Sequence, residues 1–447
     1  MTTESSSSPP ALRRQIGFVA LTLYGIGDIL GAGIYGLIGK AAGLMGNTVW
    51  LAFLASMMAA GLTGLSYASV GSRYPRAGGA AYVTARAFRR SWIAYAVGLA
   101  TLASGLTSMA TASRVFSGYL SAVLPGVPLP VLIIAFATLI AAIVYHGIRE
   151  TVWTNAVFTT VELSGLLLII VFGCSFVGSV DYFDAVTVSN ATGVITPGLI
   201  LGGAVLTFYS FIGFEDMLNV GEEVHRPNRT LPRALIVAVL VASTIYILIS
   251  LIAVSVVPAA ELARSKEPLV DVVRRAIPWF PPRVFSFIAM FAVANTALLN
   301  YVMASRLLYG MARQWLVPAP LGRVHPRTAT PHIAVWTIYA VLLALALSGD
   351  ISQLARATSV LLLSCFIVVN IALLVLKRRE PAPAEAFDVP TLVPLGGAVA
   401  CAAMLLHANK PELITAGIIL AVITVLYRVV KPDPGAVARM DDAADAS

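Results

Sequence analysis

Residues 25–35 read Gly25-Ile26-Gly27-Asp28-Ile29-Leu30-Gly31-Ala32-Gly33-Ile34-Tyr35, in the middle of the first long apolar run, 16–42. Four glycines within nine residues weaken a helix, since each interior glycine costs about 1 kcal/mol relative to alanine. They also free the backbone to unwind and let another chain approach closely. In hydrocarbon, unwound backbone persists only where protein buries it or where it lines a wet cavity. Small-residue packing is the competing account, because Gly27 and Gly31 are spaced as in a GxxxG contact face.

Working outward, composition sets the class. The 447 residues are 58% hydrophobic and 12% charged, with a mean hydropathy of +0.86. Apolar runs of about 18 residues or more recur along the whole chain, as no soluble domain of this length allows. They lie near 16–42, 47–72, 91–120, 128–146, 151–177, 195–222, 233–257, 283–312, 332–349, 354–376, 391–408 and 412–430. The pattern predicts an all-α polytopic membrane protein of 12 transmembrane helices, several long enough to tilt. With both termini placed in the cytoplasm, the inner segments hold 21 lysines and arginines and the outer ones 8, with Arg114 left inside a span. That asymmetry obeys the positive-inside rule and supports the count.

The same topology explains the net charge of +8 without nucleic acid as a partner. Residues 1–15 are polar and predicted to be a disordered cytoplasmic tail rather than a cleavable signal. Residues 431–447 form a second such tail, ending in Asp441, Asp442 and Asp445. The inner segment Ser72 to Arg90 and the outer segment Pro258 to Pro282 are long enough for short interfacial helices. Cys174, Cys365 and Cys401 lie in or beside apolar runs, which argues for packing rather than disulfides. The five histidines (His146, His225, His325, His332, His407) sit at span ends or in loops and form no HExxH motif. Without a metal-ligand cluster, nucleophile motif or phosphate loop, neither an enzyme nor a cofactor is expected.

The sixth span carries a second interruption, Phe208-Tyr209-Ser210-Phe211-Ile212-Gly213-Phe214-Glu215-Asp216, followed by Gly221-Glu222-Glu223. Acids within hydrocarbon are costly and face a bundle interior or water. Glu222 and Glu223 fit a plainer role at the cytoplasmic end, paired with nearby arginines. The first and sixth spans are five helices apart, so the second set of five enters the membrane from the opposite side. Broken helices at matching places in two inverted repeats, 16–177 and 195–376, point to a secondary transporter with a midplane site. Helices 11 and 12, at 391–430, lie outside the repeats. This pairing favours unwinding over mere packing in the first stretch.

Four segments in order resemble the amino acid–polyamine–organocation (APC) transporters, which share the fold of the sodium-coupled neurotransmitter symporters, the LeuT-like fold. They are Gly25 to Tyr35; Leu65-Ser-Tyr-Ala-Ser-Val-Gly-Ser-Arg-Tyr-Pro-Arg-Ala-Gly-Gly79 with Ala81-Tyr82-Val83; Phe211 to Glu215 through Glu222-Glu-Val-His-Arg-Pro-Asn-Arg-Thr-Leu-Pro232; and Ala304-Ser-Arg-Leu-Leu-Tyr-Gly-Met-Ala-Arg313 with Val324-His-Pro-Arg and Thr330-Pro331. The outer loop Val123 to Pro130 lacks the cysteine with which eukaryotic members join a heavy chain. The chain therefore resembles the stand-alone bacterial permeases of the inner membrane, with no heavy-chain subunit expected.

The resemblance implies an amino acid substrate, imported by alternating access with H⁺ as the expected coupling ion. Its carboxylate would meet the amides of Gly31, Ala32 and Gly33, and free N–H groups at a half-helix start do favour an anion. Its ammonium would meet carbonyls near Ile26 or Gly27 and near Tyr209, Ser210 and Ile212. Tyr209 or Phe208 falls where the family has an aromatic gate. Proton-coupled members often carry a lysine in the fifth helix; here the matching position is Glu162. With Asp28 near the same break, and Asp216 able to join, two approaching carboxylates would make a proton carrier. The same groups also suit Na⁺ or the second ammonium of a cationic substrate. A polyamine or cationic amino acid exchanger and a non-transporting amino acid sensor remain the alternative functions. Ser104, Thr107, Ser108, Asn295 and Asn300 are polar candidates for the side-chain pocket, although polar glue between helices predicts the same residues.

Overall fold

The computed structural model describes residues 12–124, 126–187, 190–265, 267–348 and 352–432. Most of both predicted tails, 1–11 and 433–447, lies outside the described residues. Among the described residues the chain is helical with no strand. Its α-helices are α1 (Phe18–Met45), α2 (Val49–Arg73), α3 (Gly79–Phe88), α4 (Ser91–Val123), α5 (Leu129–His146), α6 (Ile148–Gly173), α7 (Pro197–Phe208), α8 (Pro227–Val256), α9 (Ala259–Leu262), α10 (Pro268–Ala276), α11 (Pro282–Arg313), α12 (His332–Leu347), α13 (Ser352–Arg379), α14 (Leu392–Leu405) and α15 (Lys410–Val430).

Nine segments of the described residues are long and apolar enough to cross a membrane, the first of them running through both α1 and α2. Two further apolar helices, α12 with 16 residues and α14 with 14, are shorter. At 1.5 Å per residue they reach only roughly 24 and 21 Å, against a hydrocarbon core of about 30 Å. The expected twelve spans therefore depend on how these two sit. This is a multi-pass membrane protein. Both longer connections hold short helices, α3 in one and α9 with α10 in the other.

Helix α1 stands at the centre, packed on α6, α8 and α11, with the irregular segment after α7 against its middle. Helices α2 and α4 close the ring through α8 and α11, and α13 to α15 lie outside against α2 and α4. The boundaries follow local chemistry. Helix α7 begins with Pro197 at its first position and Thr196 Oγ1 accepting the Leu199 amide at 3.1 Å, a standard cap. Helix α8 starts at Pro227, before the expected 233, and carries Pro232 inside. Pro232 has no N–H to give the carbonyl four residues back. That carbonyl, of Asn228, instead accepts the Ser72 hydroxyl of α2 at 2.6 Å.

Candidate functional site

Two breaks meet at the centre of the bundle. In α1 the backbone leaves helical geometry at Gly31, with φ 5° and ψ −158°. After α7 the chain makes a 3-10 turn at Tyr209–Phe211, an extended residue at Ile212 and a left-handed one at Gly213, φ 133°. The breaks touch: a Cβ added to Gly33 would lie 2.8 Å from the Ser210 Cα, and one on Gly213 would lie 2.8 Å from the Asp28 carbonyl. Glycine is needed at both places because no side chain fits between the two backbones, and at Gly213 because of its φ as well.

Tyr246 of α8 binds both breaks. Its hydroxyl lies against the carbonyls of Ile29, Leu30 (3.3 Å) and Ser210 (2.7 Å), so one O–H serves carbonyls on both broken segments. Phe211 stacks edge-on against the same ring at 5.1 Å. The sequence offered no signal for Tyr246, an ordinary tyrosine in an apolar run far along the chain.

A cavity of about 40 Å³ lies between the breaks, with room for a few waters. From α1 it is lined by Asp28, Ile29, Gly31 and Gly33, and from the second break by Tyr209, Ser210, Ile212, Gly213 and Asp216. Helix α4 contributes Ser104 and Ser108, and α11 contributes Thr296 and Asn300. The Asp28 and Asp216 carboxyls are neighbours on its wall, close enough for one to donate to the other when it is protonated. Glu215, beside them, has Oε2 occupied by the Gly213 amide at 2.9 Å.

Several expected site residues fall elsewhere. Ile26 and Gly27 do not line the cavity, because the break comes later, at Gly31. The carbonyls taken by Tyr246 are accordingly those of Ile29 and Leu30. Gly27 is instead a packing glycine: its added Cβ would lie 3.0 Å from Asn155 Oδ1 of α6 and press on Thr159 and Asn295. The two readings of the glycine stretch thus hold at different glycines. Ala32 directly follows the break. Phe208 is fully buried against Phe366 of α13, ring centroids 5.9 Å apart, which leaves Tyr209 as the aromatic facing the cavity. Thr107 and Asn295 are buried but face helix contacts, Asn295 Nδ2 donating to Thr159 Oγ1 at 3.0 Å.

Glu162 of α6 is fully buried behind α1, outside the cavity, with Asn295 of α11 beside its carboxyl. Its backbone carbonyl accepts the Tyr35 hydroxyl at 3.2 Å, fixing that helix against α1 beyond the break.

At the face where α1 begins, the bundle is shut. Arg306 of α11 and Glu223 form an ion pair of 3.2 Å with no exposure on either side chain. The Glu223 carbonyl accepts the amides of Gln15 (2.8 Å) and Ile16 (2.9 Å), and His225 donates back to the Ile16 carbonyl at 2.9 Å. Glu222 Oε1 accepts the Ala77 amide at 3.0 Å. The arginine partner expected of these two acids is present for Glu223, while Glu222 meets a backbone amide.

Two broken segments thus meet at a buried polar cavity, with a closed face beside it, and comparison with known proteins places the chain. The profile of the Amino acid permease family matches residues 16–430. The chain belongs to that family. The permease is 26% identical to the branched-chain amino acid permease BcaP of Bacillus subtilis over 408 residues, 86% of each chain. It is 31% identical to cationic amino acid transporter 4 of mouse over 406 residues, 85% of this chain and 62% of the mouse protein. It is 28% identical to the methylthioribose transporter of B. subtilis over 422 residues, 90% of this chain and 89% of the other. Such proteins are permeases and transporters, not enzymes.

Proposed function

We propose that the permease is a secondary active transporter that imports an α-amino acid by alternating access, coupled to proton symport. The observation that carries this reading is the contact of two broken helices, at Gly31 to Gly33 and Tyr209 to Gly213, around one buried cavity. The sequence pattern predicted two inverted repeats, 16–177 and 195–376, with a broken first helix in each, and the reading keeps that arrangement. In this reading α12 and α14 also span, giving twelve helices, with both termini cytoplasmic in a bacterial inner membrane. The amides following Gly31 hold the substrate carboxylate, and carbonyls such as that of Ser210 face its ammonium.

Coupling is assigned to Glu162, with Asp28 and Asp216 as the groups that sense the substrate. Glu162 is a fully buried acid set against the helix that breaks, and it does not touch the cavity. A proton taken or released there changes the charge behind α1 without occupying the substrate's place. The test is uptake into proteoliposomes under a pH gradient and then a sodium gradient, wild type beside Glu162→Gln. The expected result is accumulation driven by an inward proton gradient, with Glu162→Gln retaining exchange but losing accumulation. Accumulation driven by sodium alone, or an unimpaired Glu162→Gln, would overturn the assignment.

A further inference from the structure

We infer that the transported solute carries an additional cationic group, an ammonium or guanidinium on its side chain, held by the Asp28–Asp216 pair. This names the substrate class of the site above and rests on the reading of that site as an amino acid site. Asp28 and Asp216 are the charged residues lining the cavity, and among the described residues no lysine, arginine or histidine lines it. They are 5% and 3% exposed, and each keeps one oxygen, Oδ2 of Asp28 and Oδ1 of Asp216, without a hydrogen-bond partner. Leaving such oxygens buried and unmatched is costly, so their place in the fold calls for a positive group brought from outside.

The charges divide cleanly. A zwitterionic amino acid has no net charge, and the backbone groups of the two breaks already match its carboxylate and ammonium. The acid pair is surplus to that need. Two carboxyls in contact that share one proton carry a single negative charge, which one side-chain cation neutralises. Ser104, Ser108, Thr296 and Asn300 supply further oxygens around the same space. The neighbouring acids are otherwise placed, Glu215 on the Gly213 amide and Glu162 behind α1.

The test compares lysine with norleucine, which keeps the aliphatic chain but lacks the ammonium, in wild-type proteoliposomes. Lysine is expected to enter at least tenfold faster at equal concentration, and the lysine-to-norleucine ratio to fall toward one in Asp28→Asn and Asp216→Asn. Equal wild-type rates, or variants that slow both solutes while keeping the ratio, overturn the inference. The wild-type comparison needs no variant to fold. If norleucine enters as well as lysine, the amino acid reading stands and the cationic assignment fails. If putrescine enters and neither amino acid does, the cationic assignment stands and the amino acid reading fails. Should nothing move, thermal stabilisation of the detergent-solubilised permease decides: by lysine and not norleucine supports the inference, by neither overturns it.

Discussion

Tyr246 shows how much of the site depends on one hydroxyl. Broken helices leave carbonyls without their usual partners, and those of Ile29 and Ser210 find one in the Tyr246 O–H. Tyr246→Phe keeps the ring and its contact with Phe211 but strands both carbonyls in a buried place. A buried acceptor left unsatisfied costs about 1–3 kcal/mol. We expect a loss of that size in the stability of the detergent-solubilised permease, read by thermal or chemical unfolding, with slower transport. An unchanged stability would mean that water satisfies the carbonyls instead. The residue was illegible in the sequence because tyrosine in an apolar run is ordinary, and only folding sets it over the breaks, more than 200 residues from Ile29.

The breaks are properties of elements, and here local sequence spoke more clearly. The glycines of 25–33 and Gly213 announced irregular backbone inside apolar runs, and the structure has both. It was silent on which glycine does what. Gly27 admits α6 and α11, Gly31 carries the non-helical dihedrals, and Gly33 admits Ser210. A methyl at position 33 would meet backbone at 2.8 Å, which no side-chain rotation relieves. Gly33→Ala is therefore expected to separate the two breaks and reduce transport at least tenfold while the outer helices still form, as circular dichroism would show. Near-normal transport would mean that α1 and the segment after α7 slide past one another freely.

For the molecule as a whole, the proposed alternating access requires one face to be closed by contacts that can also come apart. The Arg306–Glu223 pair is fully buried, and removing one member of such a pair costs about 3–5 kcal/mol because the other charge stays behind. Arg306→Met is expected to loosen this face, so that the amides of Gln15 and Ile16, bonded to Glu223, exchange faster with deuterium. Arg306→Met with Glu223→Leu should recover much of the stability, since no buried charge is left. A second set of ties joins α2 and α13 to the loop before α14. Asp388 accepts from Lys377 at 2.6 Å, from Arg73 at 2.9 Å and from Ser69 at 3.2 Å. Partial burial works to raise its pKa, but the hydrogen bonds from Lys377 and Arg73 prevail and hold it at about 2, below the ordinary 3.8. A lowered carboxyl stabilises the fold above its unfolded pKa and loses that contribution as pH falls through the folded one. The permease should therefore lose stability between about pH 4 and pH 2, and Asp388→Asn should flatten that part of the profile. An identical acid profile in the variant would assign the loss to other acids.

The sequence by itself determined the medium, the helical class, the family and the places where helices fail, because each is written in short-range terms: apolar runs, cation asymmetry, glycines and acids within a span. It also named Asp28, Asp216, Tyr209, Ser210 and both serines of α4 that line the cavity. Tertiary structure alone decided which acids meet. Asp28 lies 188 residues before Asp216, and nothing local distinguishes a carboxyl that faces the cavity from one, like Glu162, that lies behind α1. Pairing buried polar groups is a problem of the whole bundle, solved only when α1, α6, α8 and α11 pack around the two breaks.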